Sequence, residues 1–139
     1  MATPSKSLYL EIVTPFRKVF SELVTAIVAP GEEGYFGVLP GHTPLLTSLQ
    51  IGYLKVEQGE RVLYFSISGG FAEVLPTGVK IFAETAEAAA EIDVNRAESA
   101  KERAIKRLHE GHKQLDLDRT RDALARAKNR LDVAERPGK

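Results

Sequence analysis

Pro30-Gly31-Glu32-Glu33-Gly34-Tyr35-Phe36-Gly37-Val38-Leu39-Pro40-Gly41-His42-Thr43-Pro44-Leu45-Leu46-Thr47-Ser48-Leu49-Gln50-Ile51-Gly52 is the stretch on whose reading the fold depends. Five glycines and three prolines share it with Phe36, Val38, Leu39, Leu45, Leu46, Leu49 and Ile51, so a constrained backbone and a buried surface are specified together. A glycine run of this kind has two readings. A phosphate cradle needs a Gly-Lys-Ser/Thr sequence opening a helix, or glycines set between a strand and a helix N-terminus, because backbone N–H groups and the helix dipole hold the anion. No lysine stands between Lys18 and Lys55, and Pro40 and Pro44 oppose a helix here. The stretch therefore reads as a structured connection on a small β-domain.

Composition supports two architectures in one chain. All ten aromatic residues fall at or before Phe82, and no proline occurs between Pro76 and Pro137. Charge divides at a similar place. Residues 1–92 carry ten glutamates against six basic groups, whereas residues 93–139 carry nine acids and thirteen bases, although the net charge is zero. There is no cysteine, which excludes disulfides and thiolate metal sites, and three histidines without paired spacing make zinc an unsupported ligand. No apolar run approaches the roughly 20 residues of a membrane span. The amino end, Met1 to Ser7, reads as a short polar tail rather than a signal peptide, so we expect a soluble chain that is not exported.

The front half reads as short strands. Leu8, Leu10 and Ile12 alternate with Tyr9, Glu11 and Val13 until Thr14-Pro15, and Val19-Phe20 and Val24 to Ala29 repeat the theme before Pro30-Gly31 turns the chain. Tyr53, Lys55 and Glu57 alternate with Leu54 and Val56, and Gln58-Gly59 predicts a hairpin into Val62 to Ser68. The consecutive glycines of Ser68-Gly69-Gly70-Phe71-Ala72-Glu73-Val74 predict either a bulge or a point where another backbone comes close. Pro76-Thr77-Gly78 turns into a last strand, Val79 to Ala83. Alanine-rich Thr85 to Glu91 reads as a linker or frayed turn.

The rear half reads as two helices. Asp93 is an N-cap for Val94 to His109, and Gly111 is placed to end that helix in a left-handed conformation. Val94, Ala97, Ala100, Ala104 and Leu108, with Ile105 beside them, make one apolar stripe; Thr120, Leu124, Ala127, Leu131 and Ala134, in a helix opening near Asp116 or Asp118, make the other. About six residues join them, which fits an antiparallel hairpin. Stripes so rich in alanine bury little at about 0.8 kcal/mol per methylene, so the hairpin is expected to hold together weakly and to open. Arg96, Arg103 and Arg107 repeat at i, i+7 and i+11, as do Arg119, Arg126 and Arg130. Each set is either a solvated face with ordinary helix ion pairs, among them Glu98 with Arg103 and Lys106, or a surface for a polyanion or an acidic partner.

Three segments, in order, carry a resemblance. Gly31, Gly34, Gly37 and Pro40-Gly41-His42, then Ser68-Gly69-Gly70-Phe71 with Glu73-Val74, then Ile92-Asp93-Val94-Asn95-Arg96-Ala97 are similar to motifs of the epsilon subunits of bacterial F-type ATP synthases. The resemblance implies an all-β N-terminal sandwich, residues 1–87, which binds the gamma subunit and the ring of c subunits. An antiparallel α-helical hairpin, residues 88–139, follows it, for an α+β chain overall. It implies a non-catalytic rotor subunit on the cytoplasmic face of the cell membrane, peripheral and not inserted, which couples proton-driven rotation to ATP synthesis. Its hairpin would extend into the hexamer of alpha and beta subunits, where its basic face meets an acidic loop and resists ATP hydrolysis.

No cofactor is required by this reading. ATP is implied as a regulatory ligand, with Glu87, Ile92, Asp93, Arg96, Ala97, Arg103, Arg119, Arg126 and Arg130 as its candidate contacts; Asp93 as a mere N-cap is compatible with that role. Glu33, Gly34, Tyr35, Phe36 and His42 are the candidate rotor contact, although Tyr35 and Phe36 stand where some members carry a small or acidic residue. Two rivals remain. A stand-alone enzyme has no histidine beside a plausible nucleophile to support it. A stand-alone nucleotide- or nucleic-acid-binding module draws on the basic helices, yet the aromatic rings that single-strand binders interleave with cations lie in the other half.

Overall fold

The computed structural model describes residues 7–111 and 114–136, with the side chains of 114 and 115 left aside. The expected polar tail, apart from Ser7, and part of the expected helix connection lie outside the described residues. Eight strands come first: β1 Leu8–Val13, β2 Lys18–Val24, β3 Ala26–Gly31, β4 Gly34–Val38, β5 Leu45–Gln58, β6 Arg61–Leu75, β7 Gly78–Ala83 and β8 Ala86–Ala88. They form one sheet in the order β2-β1-β7-β6-β5-β3-β4, with β8 on β6. The long strands β5 and β6 pair antiparallel along their length, from Leu45 opposite Val74 to Gln58 opposite Arg61. Residues from both ends of that order, Leu10 and Ile12 of β1 with Ile27 and Ala29 of β3, share one buried cluster. The sheet therefore folds over itself as a sandwich.

Period-2 alternation places the core. Leu8, Leu10 and Ile12 point inward from β1, as do Val79, Ile81 and Ala83 from its parallel neighbour β7, where Leu10 stands opposite Val79 and Ile12 opposite Ile81. Gly59 has φ 65° and sits in the two-residue turn between Gln58 and Arg61, so the predicted hairpin is present.

Three local expectations are corrected. Pro30-Gly31 does not turn the chain: both residues stay in β3, and the turn falls at Glu32-Glu33, where Gly34 takes φ 127°. Leu39 to Pro44 is the connection proper, while the flanks of the opening stretch form β4 and the start of β5. Thr85 to Glu91 is neither linker nor frayed turn, because it contains β8 and a 3-10 turn, Ala89–Glu91. Strand β8 continues the line of β7 along β6 in one register, with Gly70 opposite Ala83 and Ile67 opposite Ala86. Gly69 and Gly70 take φ 82° and 113°, and at Gly70 another backbone comes close, with no bulge in the ladder. A Cβ on Gly70 would lie 1.9 Å from the Phe82 carbonyl oxygen.

Two helices follow, α1 Val94–Glu110 and α2 Gln114–Glu135. Asp93 caps α1 by accepting from the Arg96 N–H at 3.0 Å, and Gly111 ends it at φ 68°. Helix α2 opens at Gln114, ahead of Asp116 and Asp118. Ala97, Ala104, Thr120 and Ala127 are buried as the two stripes predict, whereas Val94 and Ile105 are exposed. The Thr120 hydroxyl is satisfied by donating to the Asp116 carbonyl at 2.7 Å.

Candidate functional site

The hairpin lies on the sandwich through α2. Strands β5 and β6 and the 3-10 turn receive this helix, and α1 packs on the far side of it. Val133 is fully buried, and the contacts that flank it are polar. Asn129 Nδ2 donates to the Gly52 carbonyl at 2.8 Å and to Ser66 Oγ at 3.2 Å. Arg130 Nε donates to Glu87 Oε1 at 2.7 Å, which joins α2 to β8 across 43 positions of sequence. At the end of α2 the Arg136 guanidinium lies 4.2 Å from the Tyr53 ring centroid and 5.3 Å from that of Tyr64, oriented by two hydrogen bonds to Asp132 Oδ2.

The candidate ATP contacts fall into two groups. At the root of the hairpin, β8 places Glu87, the 3-10 turn leads into buried Ile92, and the Asp93 cap sets Arg96 and Ala97 in the first turn of α1. Arg130 joins this group through Glu87. Arg103 and Arg119 belong instead to a cleft of about 700 Å³ between the helices nearer Gly111, which Arg107, Thr120 and three alanines line together with the carboxylates Glu110 and Asp116. Arg126 is half-buried on α2. The fold does not gather all nine residues around one point. Among the described residues, no ion pair joins Glu98 or Glu102 to Arg103 or Lys106, so the ordinary helix pairing expected on that face is absent.

The candidate rotor residues also separate. Glu33 lies in the exposed Glu32-Glu33 turn, and Gly34, also exposed, opens β4. Gln50 Nε2 fastens that turn by donating to the carbonyls of Gly31 at 3.1 Å and Glu32 at 2.6 Å. His42 Nδ1 sits 2.6 Å from the Thr43 carbonyl oxygen in the connection. Phe36 packs against the core, its ring over Gly31. Tyr35 turns toward the hairpin: its ring stacks on Tyr53 at 4.3 Å, and its Oη accepts from the Tyr53 N–H at 3.1 Å. Burial pushes the Tyr35 phenol above its ordinary value, so it stays neutral at physiological pH.

Asn129, Asp132, Val133 and Arg136 escaped the sequence reading. The stripes assumed one apolar face per helix, but α2 has two neighbours and uses two faces. Val133 standing outside the stripe was the available signal, together with outward-facing Tyr53 and Tyr64 on neighbouring strands.

A β-sandwich with a two-helix hairpin laid across it defines a class, and the chain belongs to it: the ATP synthase delta/epsilon chain family. Residues 7–89 match the family description "ATP synthase, Delta/Epsilon chain, beta-sandwich domain", and residues 90–135 match "ATP synthase, Delta/Epsilon chain, long alpha-helix domain". More particularly, its relatives are epsilon chains. The ATP synthase epsilon chain of Syntrophobacter fumaroxidans is 51% identical over 95% of this chain and 98% of its own length. That of Desulforamulus reducens is 45% identical over 94% and 99%. A chain in the cryo-electron-microscopy structure of Euglena gracilis mitochondrial ATP synthase, the OSCP/F1/c-ring assembly in rotational state 1, superposes with a TM-score of 0.82. It is 28% identical, over 97% of this chain and 85% of that one.

Proposed function

We propose that the chain is a non-catalytic central-stalk subunit of a proton-translocating F-type ATP synthase. It binds the gamma subunit and the c-subunit ring and helps couple rotation to ATP synthesis. The observation that carries this reading is the full-length likeness to epsilon chains, both domains in order. The same likeness supports a peripheral position on the cytoplasmic face of a bacterial membrane, and among the described residues no helix is long and apolar enough to cross one. Co-purification with a gamma subunit tests the reading; failure of the two to associate overturns it.

The hairpin is the regulatory part. Its hold on the sandwich rests on little apolar burial, Val133 foremost, at about 0.8 kcal/mol per buried methylene. A gap of a few kcal/mol leaves a minor undocked state populated and open to bias. Extended, the hairpin would offer its arginine faces to the catalytic hexamer and resist hydrolytic rotation. ATP would favour the docked form, because a ligand shifts an equilibrium only by its differential affinity. Support for that ligand comes from Arg103, Arg107 and Arg119, which line one cleft and whose planar forks suit phosphate oxygens, against two carboxylates, Glu110 and Asp116, on the same wall. Calorimetry of the full chain is expected to register heat with ATP, and Arg126→Ala to abolish it. No heat from the unsubstituted chain would remove the nucleotide from the mechanism.

A further inference from the structure

Tyr35, Tyr53 and Arg136 stand in one column that runs from the sandwich into the end of the hairpin. The Tyr35 and Tyr53 rings stack at 4.3 Å with planes 23° apart, and the Arg136 guanidinium covers Tyr53 at 4.2 Å. Tyr64 closes one side, its ring edge-on to Tyr53 at 6.0 Å. The base of the column is fixed by the backbone of β5. Tyr35 Oη crosses Gly52 so closely that a Cβ there would lie 2.6 Å from it, and the carbonyl of the same glycine receives Asn129 of α2. Tyr35 itself directly follows Gly34 at the end of the exposed Glu32-Glu33 turn.

We propose that this column is a latch that makes docking of the hairpin and the position of strand β4 a single equilibrium, so that a partner displacing the Glu33-Gly34 turn changes the hold on α2. The inference rests on the reading above that the hairpin leaves the sandwich. Its physical basis is that a planar cation on an aromatic face is oriented as well as attracted, so the ring must be presented at one height and tilt. Tyr35 sets both for Tyr53. Arginine suits this position because its planar guanidinium stacks flat while Asp132 holds its edge. An ammonium group offers no such plane.

Amide hydrogen exchange of the full chain tests the latch, with β7 amides as the internal control for global unfolding. Arg136→Ala is expected to raise exchange in α2 about three- to thirtyfold while β7 is unchanged, the range spanned by an aromatic–cation contact. Arg136→Lys should give most of the same rise; full protection in that variant would show charge alone at work and overturn the stacked column. Tyr35→Leu and Gly52→Ala, both within the sandwich, are expected to raise α2 exchange about threefold or more. If they leave α2 protected while Arg136→Ala does not, the link to β4 is wrong; if no variant changes α2, the whole proposal falls. ATP hydrolysis by the assembled complex separates this from the regulatory reading. Faster exchange in Arg136→Ala with an unchanged hydrolysis rate would sustain the latch and defeat the regulation.

Discussion

Gly70 sits where no side chain fits, because its φ of 113° and the Phe82 carbonyl 1.9 Å from an added Cβ both exclude one. Gly70→Ala is expected to cost about 3 kcal/mol or more, read as a lowered denaturant midpoint, and to destabilise the β6–β7 ladder as a whole. Gly59→Ala supplies the contrast. Its φ of 65° is also left-handed, but an added Cβ meets nothing within 4 Å, so the expected cost is about 1 kcal/mol. Equal losses in the two variants would show that conformation, not collision, decides both. At Glu87 the issue is pairing rather than space. The Arg130 contact is about one-third exposed on each side, so Glu87→Gln should weaken hairpin docking by only about 0.5–1 kcal/mol.

Helix α2 is the element on which the molecule turns, since it serves α1 on one face and the sandwich on another. Val133→Ala removes two methyl groups from a fully buried position and should cost about 2 kcal/mol of docking, visible as faster α2 exchange. Helix α1 depends on its ends. Asp93→Ala loses the 3.0 Å cap to Arg96 N–H and is expected to lower hairpin stability by about 1 kcal/mol, monitored by helical circular dichroism on heating. An Asp93→Ser variant should recover most of that loss, because a hydroxyl also caps. Recovery of stability without recovery of ATP heat would divide the capping role of Asp93 from its proposed role as a ligand.

At the scale of the whole molecule the sandwich is self-sufficient. Its buried cluster runs from Leu8 to Ala86 and, among the described residues, takes none from either helix. A chain ending at Glu91 is therefore expected to keep its β-sheet spectrum and cooperative unfolding, and to leave the complex hydrolysing ATP without the hairpin's restraint. Loss of the sheet on truncation would contradict the separateness of the two parts. Alkaline pH probes their contact. Tyr35 has a folded pKa above the ordinary 10.0, so its neutral form is favoured by folding. Its contribution is complete below that value and is lost as pH rises through the elevated one. The stability of the folded chain should thus be insensitive to this phenol near neutrality and fall in alkali above about 10, and Tyr35→Phe should remove that part of the fall.

The sequence by itself determined what depends on neighbours a few positions apart. Alternation in Leu8 to Val13 assigned an inward face, Asp93 and Gly111 bounded a helix, and paired glycines announced a bulge or a close approach without deciding between them. Such patterns act through backbone conformation and period, which a short window contains. Only the tertiary structure decided which distant faces meet. It ran β8 on from β7 in one register, brought Arg130 to Glu87, stacked Tyr35 on Tyr53, and gave α2 a second face through Val133 and Asn129. A residue's partner across the fold follows from sheet topology and helix rotation, so no pattern within the helix could state that Arg136 at its end would lie over two tyrosines.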